Sequence, residues 1–387
     1  MNTASFNKTK VKIGIFAAAL LMMGAIGINS TLSAIALNLN VSELDAIQFV
    51  AVTCLTVIPV SIVTGILTKF ISKKILLIIG ILCFIVGGCA PFFMKDYGSI
   101  MGMRILFGVG IGLIQTLSVA LVPDYFEGEE KSKTQGMVAT FQMIGCIVMS
   151  LVGGVLGSIQ WNYVFLVHLF GIISLVLVLI LLPLHAPKRE APAAGTQKSK
   201  GGFTATFIYW VIICFIFFIP GQIFANSMSV MLTQKTLGGP AEAGVSLAVF
   251  AVGGIIFGFI FGFLMKAFKR FTVVFGLLLM GAAFLISSFA GNLPMVYIGS
   301  VICGIAFSCC FACIFDEVGS SVAPAAASIA LAIATCLQNF GMFLSPRIAE
   351  AVSKDYSFHY IFGAIVLAAL GVICIVFMIV TGSKKKA

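Results

Sequence analysis

Apolar runs of about 20 residues follow one another along almost the whole chain, and they constrain its fold more than any other feature. Only 9% of the 387 residues are charged, whereas 60% are hydrophobic. A soluble domain carries about 25% charged residues. Apolar runs of this length predict membrane-spanning helices. Because polar and apolar residues do not alternate within them, they argue against the strands of a membrane β-barrel.

We predict an all-α integral membrane protein with twelve transmembrane helices in two bundles of six. A stretch rich in Pro, Ala, Gly and Lys, 186–202, has little to bury and predicts a flexible cytoplasmic linker between them. The predicted domains are therefore 1–185 and 203–387. The predicted spans are 13–37, 46–68, 75–94, 98–122, 134–159, 162–184, 204–232, 242–265, 271–291, 294–315, 325–346 and 358–381.

The two halves of the chain repeat each other at a shift of 196 or 197 residues. The basic turn at 65–74 has the plan of the turn at 262–270, with Gly65 matching Gly262 and Lys69 matching Lys266. Other matches, in the same order, are Asn29 with Asn226, Gly108 with Gly304, Gln142 with Gln338, Gly145 with Gly341, and 161–165 with 358–362. A repeat at about half the chain length predicts two similar helical bundles, not a solenoid of small units.

The net charge of +10 does not indicate a nucleic-acid partner, because the positive charges sort by side of the membrane. With twelve spans, eighteen of the 23 Lys and Arg residues fall on the side of both termini, four fall on the other side, and Arg104 lies within a span. The positive-inside rule therefore predicts that both termini and both basic turns are cytoplasmic. The expected location is the cytoplasmic membrane.

The basic turn after the second span carries a family resemblance. Six helices, a basic linker and six more helices, with such turns after spans two and eight, resemble the major facilitator superfamily of secondary transporters along the whole chain. The family's turn reads Gly, three residues, an acid, a base, one residue, Gly and two bases. Gly65, Lys73 and Lys74 fit this pattern, but Lys69 stands where the acid belongs.

The absence of an acid at position 69 affects how the cytoplasmic side of the transporter would be kept closed. In the family, the acid helps to latch the two halves on the cytoplasmic side, and this turn lacks it. Asp124 and Asp316, at the cytoplasmic ends of spans four and ten, are candidates to pair with neighbouring lysines instead. The alternative is that both are solvated surface charges. The predicted gating and motif residues are Gly65, Lys69, Lys73, Lys74, Asp124, Gly145, Lys266, Asp316 and Pro346.

Two further stretches resemble family motifs. RILFGVGIG at 104–112 resembles the Arg-Gly motif of the fourth span. Gly145 matches part of the antiporter motif in span five, and Pro346 belongs to a better copy in span eleven. The antiporter motif is therefore diluted, whereas the long motif matches in spans four to six most resemble the drug- or metabolite-efflux branch of the family.

Polar residues within apolar spans are the candidates for transport. Arg104 could bind an anionic substrate group, take part in proton coupling, or tie helices together through backbone carbonyls. The resemblance places Asn29 and Asn226 on opposite sides of a central cavity, while packing is the alternative for every amide. His168 could titrate or simply be hydrogen-bonded, and Pro220 predicts an interruption of span seven. The predicted substrate-binding residues are Asn29, Arg104, Gln115, Gln142, Gln222, Asn226, Phe311 and Gln338.

The predicted function is secondary transport of a small organic solute by alternating access, in the form of proton-linked efflux of a drug or metabolite by a monomer. No acid lies in the middle of a predicted span, which disfavours a cationic substrate. The alternative is uptake or exchange of a small organic anion bound at Arg104, and a third class is a membrane sensor or scaffold. No phosphate-binding loop, metal spacing or nucleophile–base pair stands out, so we expect neither an enzyme nor a cofactor.

Overall fold

The computed structural model describes residues 7–184, 204–323 and 326–384, and within these ranges the chain forms helices and no strands. The predicted linker, 186–202, lies outside the described residues. The chain divides into two compact units, Met1–Lys198 and Ser199–Ala387. The all-α prediction is confirmed, while the domain boundaries at 185 and 203 stay predictions.

The first unit contains the segments predicted as spans one to six. Three 3-10 segments complete its spans: Leu21–Thr31 joins α1 to α2, Ala90–Phe93 follows α4, and Trp161–Leu169 leads into α7. Met23, with φ −95° and ψ 16°, departs from helical geometry inside the first of them. The helices are α1 Lys8–Leu20, α2 Leu32–Leu39, α3 Glu43–Leu67, α4 Lys73–Cys89, α5 Tyr97–Tyr125, α6 Gly128–Ile159 and α7 Phe170–Leu181.

The second unit consists of longer uninterrupted helices. The predicted break at Pro220 is wrong, because α8 continues through it. Pro220 and Gly221 are buried, and the Cα of Gly221 faces the Phe307 ring, so packing supports the helix where one backbone hydrogen bond is lost. The helices are α8 Ala205–Gln234, α9 Pro240–Phe268, α10 Thr272–Ser288, α11 Leu293–Ser320, α12 Ala327–Val352 and α13 Tyr356–Lys384.

The helices have the length and composition of membrane spans. Among the described residues, eleven helical segments are long and apolar enough to cross a membrane. One of these, Pro240–Ser288, has 49 residues and contains both α9 and α10. A straight helix of that length would extend roughly 74 Å, more than twice the hydrocarbon thickness of a bilayer. The segment covers two of the predicted spans, and the count of twelve stays a prediction.

Close helix packing in the first unit depends on glycine. A Cβ at Gly145 would overlap the carbonyl oxygen of Leu20, and one at Gly153 would overlap that of Gly27. Helix α6 therefore lies directly against the backbone of the first span, as small residues permit in membrane proteins. The core beneath is apolar, with Phe84 fully buried.

Helix ends extend beyond the predicted apolar limits. Helix α6 begins at Gly128, six residues before the predicted start at 134, and its first turn carries Glu129 and Glu130. Helix α12 continues to Val352, past the predicted end at 346. Hydropathy marks where a helix enters hydrocarbon, whereas the hydrogen-bonded helix continues into the polar surroundings.

Candidate functional site

Arg104, on α5, has a fully buried side chain inside the first unit. Its Nε donates a hydrogen bond to the backbone carbonyl oxygen of Phe49 on α3, at 3.1 Å. Its terminal nitrogens, Nη1 and Nη2, have no hydrogen-bond partner among the described residues. Since burying a charge without full pairing is costly, the guanidinium is a strong candidate for a functional role.

Aromatic rings surround this guanidinium. Its Cζ lies 4.0 Å from the ring centroid of Phe107, a cation–π contact. The ring of His168 lies 4.7 Å from the same centroid, edge-on, and Phe84 packs against both rings. Nδ1 of His168 lies 2.9 Å from the carbonyl oxygen of Phe165, which leaves Nε2 without a partner in the described part of the chain. We call Arg104, Phe107, Phe84 and His168 the arginine cluster.

The two asparagines of the repeat are both deeply buried, each inside its own unit. Asn29 lies in the 3-10 segment of the first span and is 1% exposed, and Asn226 on α8 is 2% exposed. The amide nitrogen of Gln222 donates to the Asn226 side-chain oxygen at 3.2 Å, one helical turn away. Their predicted place on opposite sides of one cavity stays a prediction.

The remaining predicted binding residues are less buried. Gln115 on α5, Gln142 on α6 and Gln338 on α12 are half-buried. Phe311 on α11 is 38% exposed. These four side chains are thus more exposed than those of Asn29, Arg104 and Asn226, and their role in binding stays a prediction.

Phe311 belongs to a row of rings along α11. Phe307, Phe311 and Phe315 follow one another at helical spacing, with centroids 6.4 and 4.6 Å apart. Phe218 on α8 meets both Phe307 and Phe311 edge-on. At the repeat shift of 196 residues, Gln115 occupies the position of Phe311 in the first unit. The matching positions of the two units therefore carry an amide and an aromatic ring.

The basic turn of the first unit is closed by an ion pair. Nζ of Lys73 lies 2.7 Å from a carboxylate oxygen of Asp124, and it also donates to the carbonyl of Ala120. The hypothesis that Asp124 pairs with a neighbouring lysine is confirmed. Nζ of Lys74 donates to the carbonyl oxygens of Leu179 and Leu182 at the end of α7, which satisfies groups that a helix terminus leaves open.

The other two predicted residues of this turn, Gly65 and Lys69, are exposed on the surface of the first unit. Lys69 is exposed and forms no ion pair within the described ranges. Gly65 is exposed as well, and a Cβ built on it would meet no atom within 4 Å. Their gating role is therefore not visible within the first unit and stays a prediction.

The matching turn of the second unit is built differently. Asp316 and Lys266 are exposed, and in the described part of the chain Asp316 pairs with no lysine. The hypothesis of an Asp316–lysine pair is therefore wrong for this conformation. Its carboxylate comes one helical turn earlier than Asp124 does in the repeat, so the geometry of the first unit is not reproduced. Arg270 donates from Nη1 to the carbonyl of Met378 at 3.3 Å, which resembles the role of Lys74.

The glycine–proline positions of spans five and eleven are packing positions. Gly145 touches the backbone of the first span, as described above. In the second unit, Pro346 is buried inside α12, and the hydroxyl of Ser345 donates to the carbonyl of Ile219 at 2.6 Å. Each of these contacts ties span five or eleven to the first span of its own unit.

Sequence reasoning missed the partners that tertiary packing supplies. The hydrogen bond from Arg104 goes to the backbone carbonyl of Phe49, and every residue has such a carbonyl, so the sequence does not indicate which one accepts. Glu130, at the start of α6, accepts from both Lys8 and Lys12 on α1, at 2.7 and 3.0 Å. Charges of opposite sign near the ends of spans one and five were a possible signal for this contact.

The class of protein follows from these features and from comparison with known proteins. A multi-pass membrane protein of two repeated helical units, with polar groups buried in its spans, has the construction of a secondary transporter. The profile of the Major Facilitator Superfamily matches residues 14–234 and again 210–387. The chain therefore belongs to this superfamily of transporters.

Efflux proteins are among its relatives. The multidrug efflux pump SdrM of Staphylococcus aureus (strain N315) is 26% identical over 223 residues, which are 56% of this chain and 49% of SdrM. The chain thus spans about half the length of that relative. The quinolone resistance protein NorA of Staphylococcus aureus (strain COL) is 22% identical over 350 residues, 87% of this chain and 88% of NorA.

Solved transporters share the fold. The crystal structure of the nucleoside transporter NupG superposes with a TM-score of 0.76 at 13% identity, and it covers 95% of this chain and 99% of NupG. At this identity the likeness concerns the fold alone. The predicted superfamily fold is confirmed by this comparison together with the family match.

Proposed function

We propose that the protein exports small lipophilic organic compounds, drugs or metabolites, across the cytoplasmic membrane in exchange for protons, by alternating access. The similarity to a quinolone resistance protein along 87% of the chain carries this proposal. The segregation of Lys and Arg residues supports both termini being cytoplasmic. A monomer suffices, since both bundles belong to one chain.

We infer which side chains contact the solute from how exposed each candidate is. We assign direct contact to the half-buried or exposed side chains Gln115, Gln142, Gln222, Gln338 and Phe311. Amides offer hydrogen bonds without charge, and an aromatic ring accepts a flat apolar solute. The buried Asn29 and Asn226 then come into contact only when their helices move.

Arg104 is assigned to proton coupling. Two buried guanidinium nitrogens without acceptors among the described residues are unfavourable for folding, and such groups are retained in membrane proteins for function. Because a guanidinium keeps its proton, Arg104 would act through a titratable acceptor that a conformational change brings to these nitrogens, and the protonation of that acceptor would then depend on conformation. Gly65, Lys69, Lys266 and Asp316 are assigned to gating at the basic turns.

Proteoliposomes with an acidic lumen test the proposal. We expect them to accumulate a quinolone and a lipophilic fluorescent dye, and a protonophore should abolish the accumulation. Arg104→Gln should abolish it too, whereas Lys95→Gln, at an exposed lysine of the same unit, should leave it unchanged. Accumulation that ignores the pH gradient would refute proton coupling, and no accumulation of either compound would refute lipophilic efflux.

A second candidate is exchange of a small organic anion. The two unpartnered nitrogens of Arg104 favour it, because a guanidinium binds carboxylates with two parallel hydrogen bonds. Strict counter-exchange of a carboxylate, lost in Arg104→Gln and insensitive to the protonophore, would establish this function over efflux. The complete burial of the side chain weighs against it in this conformation.

A further inference from the structure

Three cysteines lie close together on α11, at positions 309, 310 and 313. Cys309 and Cys313 are four residues apart, so their side chains lie on the same face of the helix. Their thiols are hydrogen-bonded to each other. Neither thiol is part of a disulfide. We call Cys309 and Cys313 the thiol pair.

The thiol pair faces the start of α10. The sulfur of Cys309 lies 3.5 Å from the backbone carbonyl oxygen of Thr272. A Cβ built on Gly276 would lie 3.1 Å from the same sulfur, so this glycine allows α10 to approach the pair closely. Residues two apart on a helix point to nearly opposite sides. The pair therefore lies away from Phe311, the predicted solute contact on the same helix.

Close packing of these helices does not require thiols, as the matching contact of the first unit shows. At the repeat shift of 196 residues, Gly80 matches Gly276, and Leu113 and Leu117 match the thiol pair. A Cβ at Gly80 would lie 2.8 Å from the Cβ of Leu113, so the first unit makes the same close approach with aliphatic side chains. Both leucines are buried. The second unit thus has two sulfur atoms where the repeated fold accepts hydrocarbon.

A small cavity beside the basic turn of the second unit reaches the thiol pair. Its volume is about 80 Å³, which is room for several water molecules. The half-buried Cys313 lines it, together with Thr272, whose carbonyl lies against Cys309. Phe261 and Met265 add apolar surface, and two basic and two acidic residues complete the charged part of the lining. Because these formal charges cancel, the cavity favours a neutral ligand with an apolar group.

We propose that the thiol pair binds trivalent organoarsenicals, neutral compounds of the form R–As=O. Sulfur ligands prefer soft centres, and one arsenic atom can accept both sulfurs. Two S–As bonds form, the two S–H bonds and the As–O bonds break, and both protons leave with the oxygen as one water molecule. Arsenic stays trivalent, so the step needs no oxidant or reductant. The organic group R lies along Phe261 and Met265.

Two thiols on one helical turn make this binding selective. Once the first S–As bond has formed, the second forms within the same molecule, which strengthens binding by roughly 100-fold to 10,000-fold over a single link. A cysteine without a neighbouring thiol lacks this gain. The site is separate from the predicted solute contacts, and the inference does not depend on the proposed efflux function.

Titration of the reduced protein in detergent with phenylarsine oxide tests the site. Intact-protein mass spectrometry should show an adduct that keeps the phenyl group and the arsenic and has lost the oxygen as water. Tandem mass spectrometry should place the adduct on the thiol pair. Excess 2-mercaptoethanol should leave it in place, whereas 2,3-dimercaptopropanol should remove it, because only another dithiol competes with a two-point attachment.

Three variants assign the contacts. Cys313→Ser and Cys309→Ser should each weaken binding by roughly 100-fold or more, since each leaves a single link. Cys336→Ser is the matched control, because Cys336 is a half-buried cysteine of the same unit on α12, and its loss should leave the affinity unchanged. Size-exclusion profiles check folding. Cys309 is 1% exposed, so Cys309→Ala replaces the serine variant if the buried hydroxyl disturbs the fold.

Several outcomes would overturn the proposal. One is wild-type protein that forms no arsenic adduct, or forms it at other cysteines. Another is a folded Cys313→Ser protein that binds phenylarsine oxide as tightly as the wild type. A third is an adduct that 2-mercaptoethanol removes, because it would then be held by a single sulfur. The adduct site and its reversal are measured on wild-type protein, so the proposal stays testable even if a variant misfolds.

Discussion

The two helical units repeat each other in sequence, but they differ in helix geometry and in the polar groups that they bury. In the first unit, span one contains the 3-10 segment Leu21–Thr31, whereas the matching α8 is one continuous helix. The first unit also buries Arg104, where the repeat shift of 196 residues places Ser300 in the second. Ser300 satisfies its hydroxyl within its own helix by donating to Val296.

The different construction of the two units suits them to different roles in transport. A 3-10 stretch within a long helix often marks a hinge or strain, and a buried charge with open hydrogen-bond positions responds to any rearrangement around it. The second unit has instead a row of aromatic rings, Phe307, Phe311 and Phe315, on an unbroken helix. We infer that the first unit supplies coupling and the second supplies apolar contact with the solute.

The largest expected effect concerns the packing of α6 on span one. Gly145→Ala should cost about 3 kcal/mol of unfolding free energy, because the new methyl group overlaps the Leu20 backbone oxygen, which cannot move aside. Gly341→Ala, at the matching position, should cost only about 1 kcal/mol, since its Cβ would lie 2.7 Å from the Phe215 oxygen. Thermal unfolding in detergent measures both.

Gly136→Ala is the control for that comparison. It lies on the same helix, and a Cβ there meets no atom within 4 Å. It should stabilise the protein slightly, because alanine favours a helix more than glycine does. Equal losses for Gly145→Ala and Gly341→Ala would contradict the claim that the two units pack these helices at different distances.

The next largest effect concerns the buried charge. Arg104→Met should raise stability by about 1–3 kcal/mol, because it removes unpaired buried donors and keeps the volume of the side chain. The same variant should lose pH-driven transport. Ser300→Ala, in the second unit, should change neither property appreciably. An Arg104→Met protein that unfolds more easily would show that the guanidinium is mainly a helix tie.

A smaller effect distinguishes the two basic turns. A double-mutant cycle of Lys73→Gln and Asp124→Asn should yield a coupling of about 0.5–1 kcal/mol, as expected for a half-buried ion pair. The cycle of Lys269→Gln and Asp316→Asn in lipid-free detergent should yield a coupling near zero. Lys69→Gln should leave the unfolding midpoint unchanged. Equal couplings at both turns would remove this difference between the units.

The smallest effect is a difference in pH dependence. Asp96 caps α5 and Asn292 caps α11, at the same position of the repeat. Hydrogen bonds from the amide and hydroxyl of Ser99 lower the pKa of the Asp96 carboxyl. Its stabilising contribution is therefore complete above the unfolded-state pKa of about 3.9 and is lost as the pH falls through the lower folded-state pKa.

Unfolding midpoints between pH 7 and pH 2 check this dependence. Asp96→Asn should flatten the acid limb of the curve, and Asn292→Asp should steepen it, since it gives the second unit a titrating cap. A curve that Asp96→Asn leaves unaltered would show that the Ser99 contacts do not persist in solution.

The two aspartates of the basic turns show how much of the site could be predicted from the sequence. The pair between Asp124 and a neighbouring lysine was foreseen because the acid stands at a helix end beside a basic turn. The same reasoning failed for Asp316, which lies one helical turn earlier in its helix. A shift of four residues hardly changes a sequence pattern, yet it moves a carboxylate by about 6 Å along the helix, which is enough to break an ion pair.

The sequence by itself determined the class of structure and its division into two units, because length and hydropathy alone decide whether a helix enters a bilayer. Only the tertiary structure decided that Arg104 meets the Phe49 carbonyl, that Pro220 leaves α8 unbroken, and which turn is closed by an ion pair. These outcomes depend on distances of a few ångströms between residues far apart in the chain. Partition into the membrane is a sum over a segment, whereas a hydrogen bond depends on where two particular atoms come to lie.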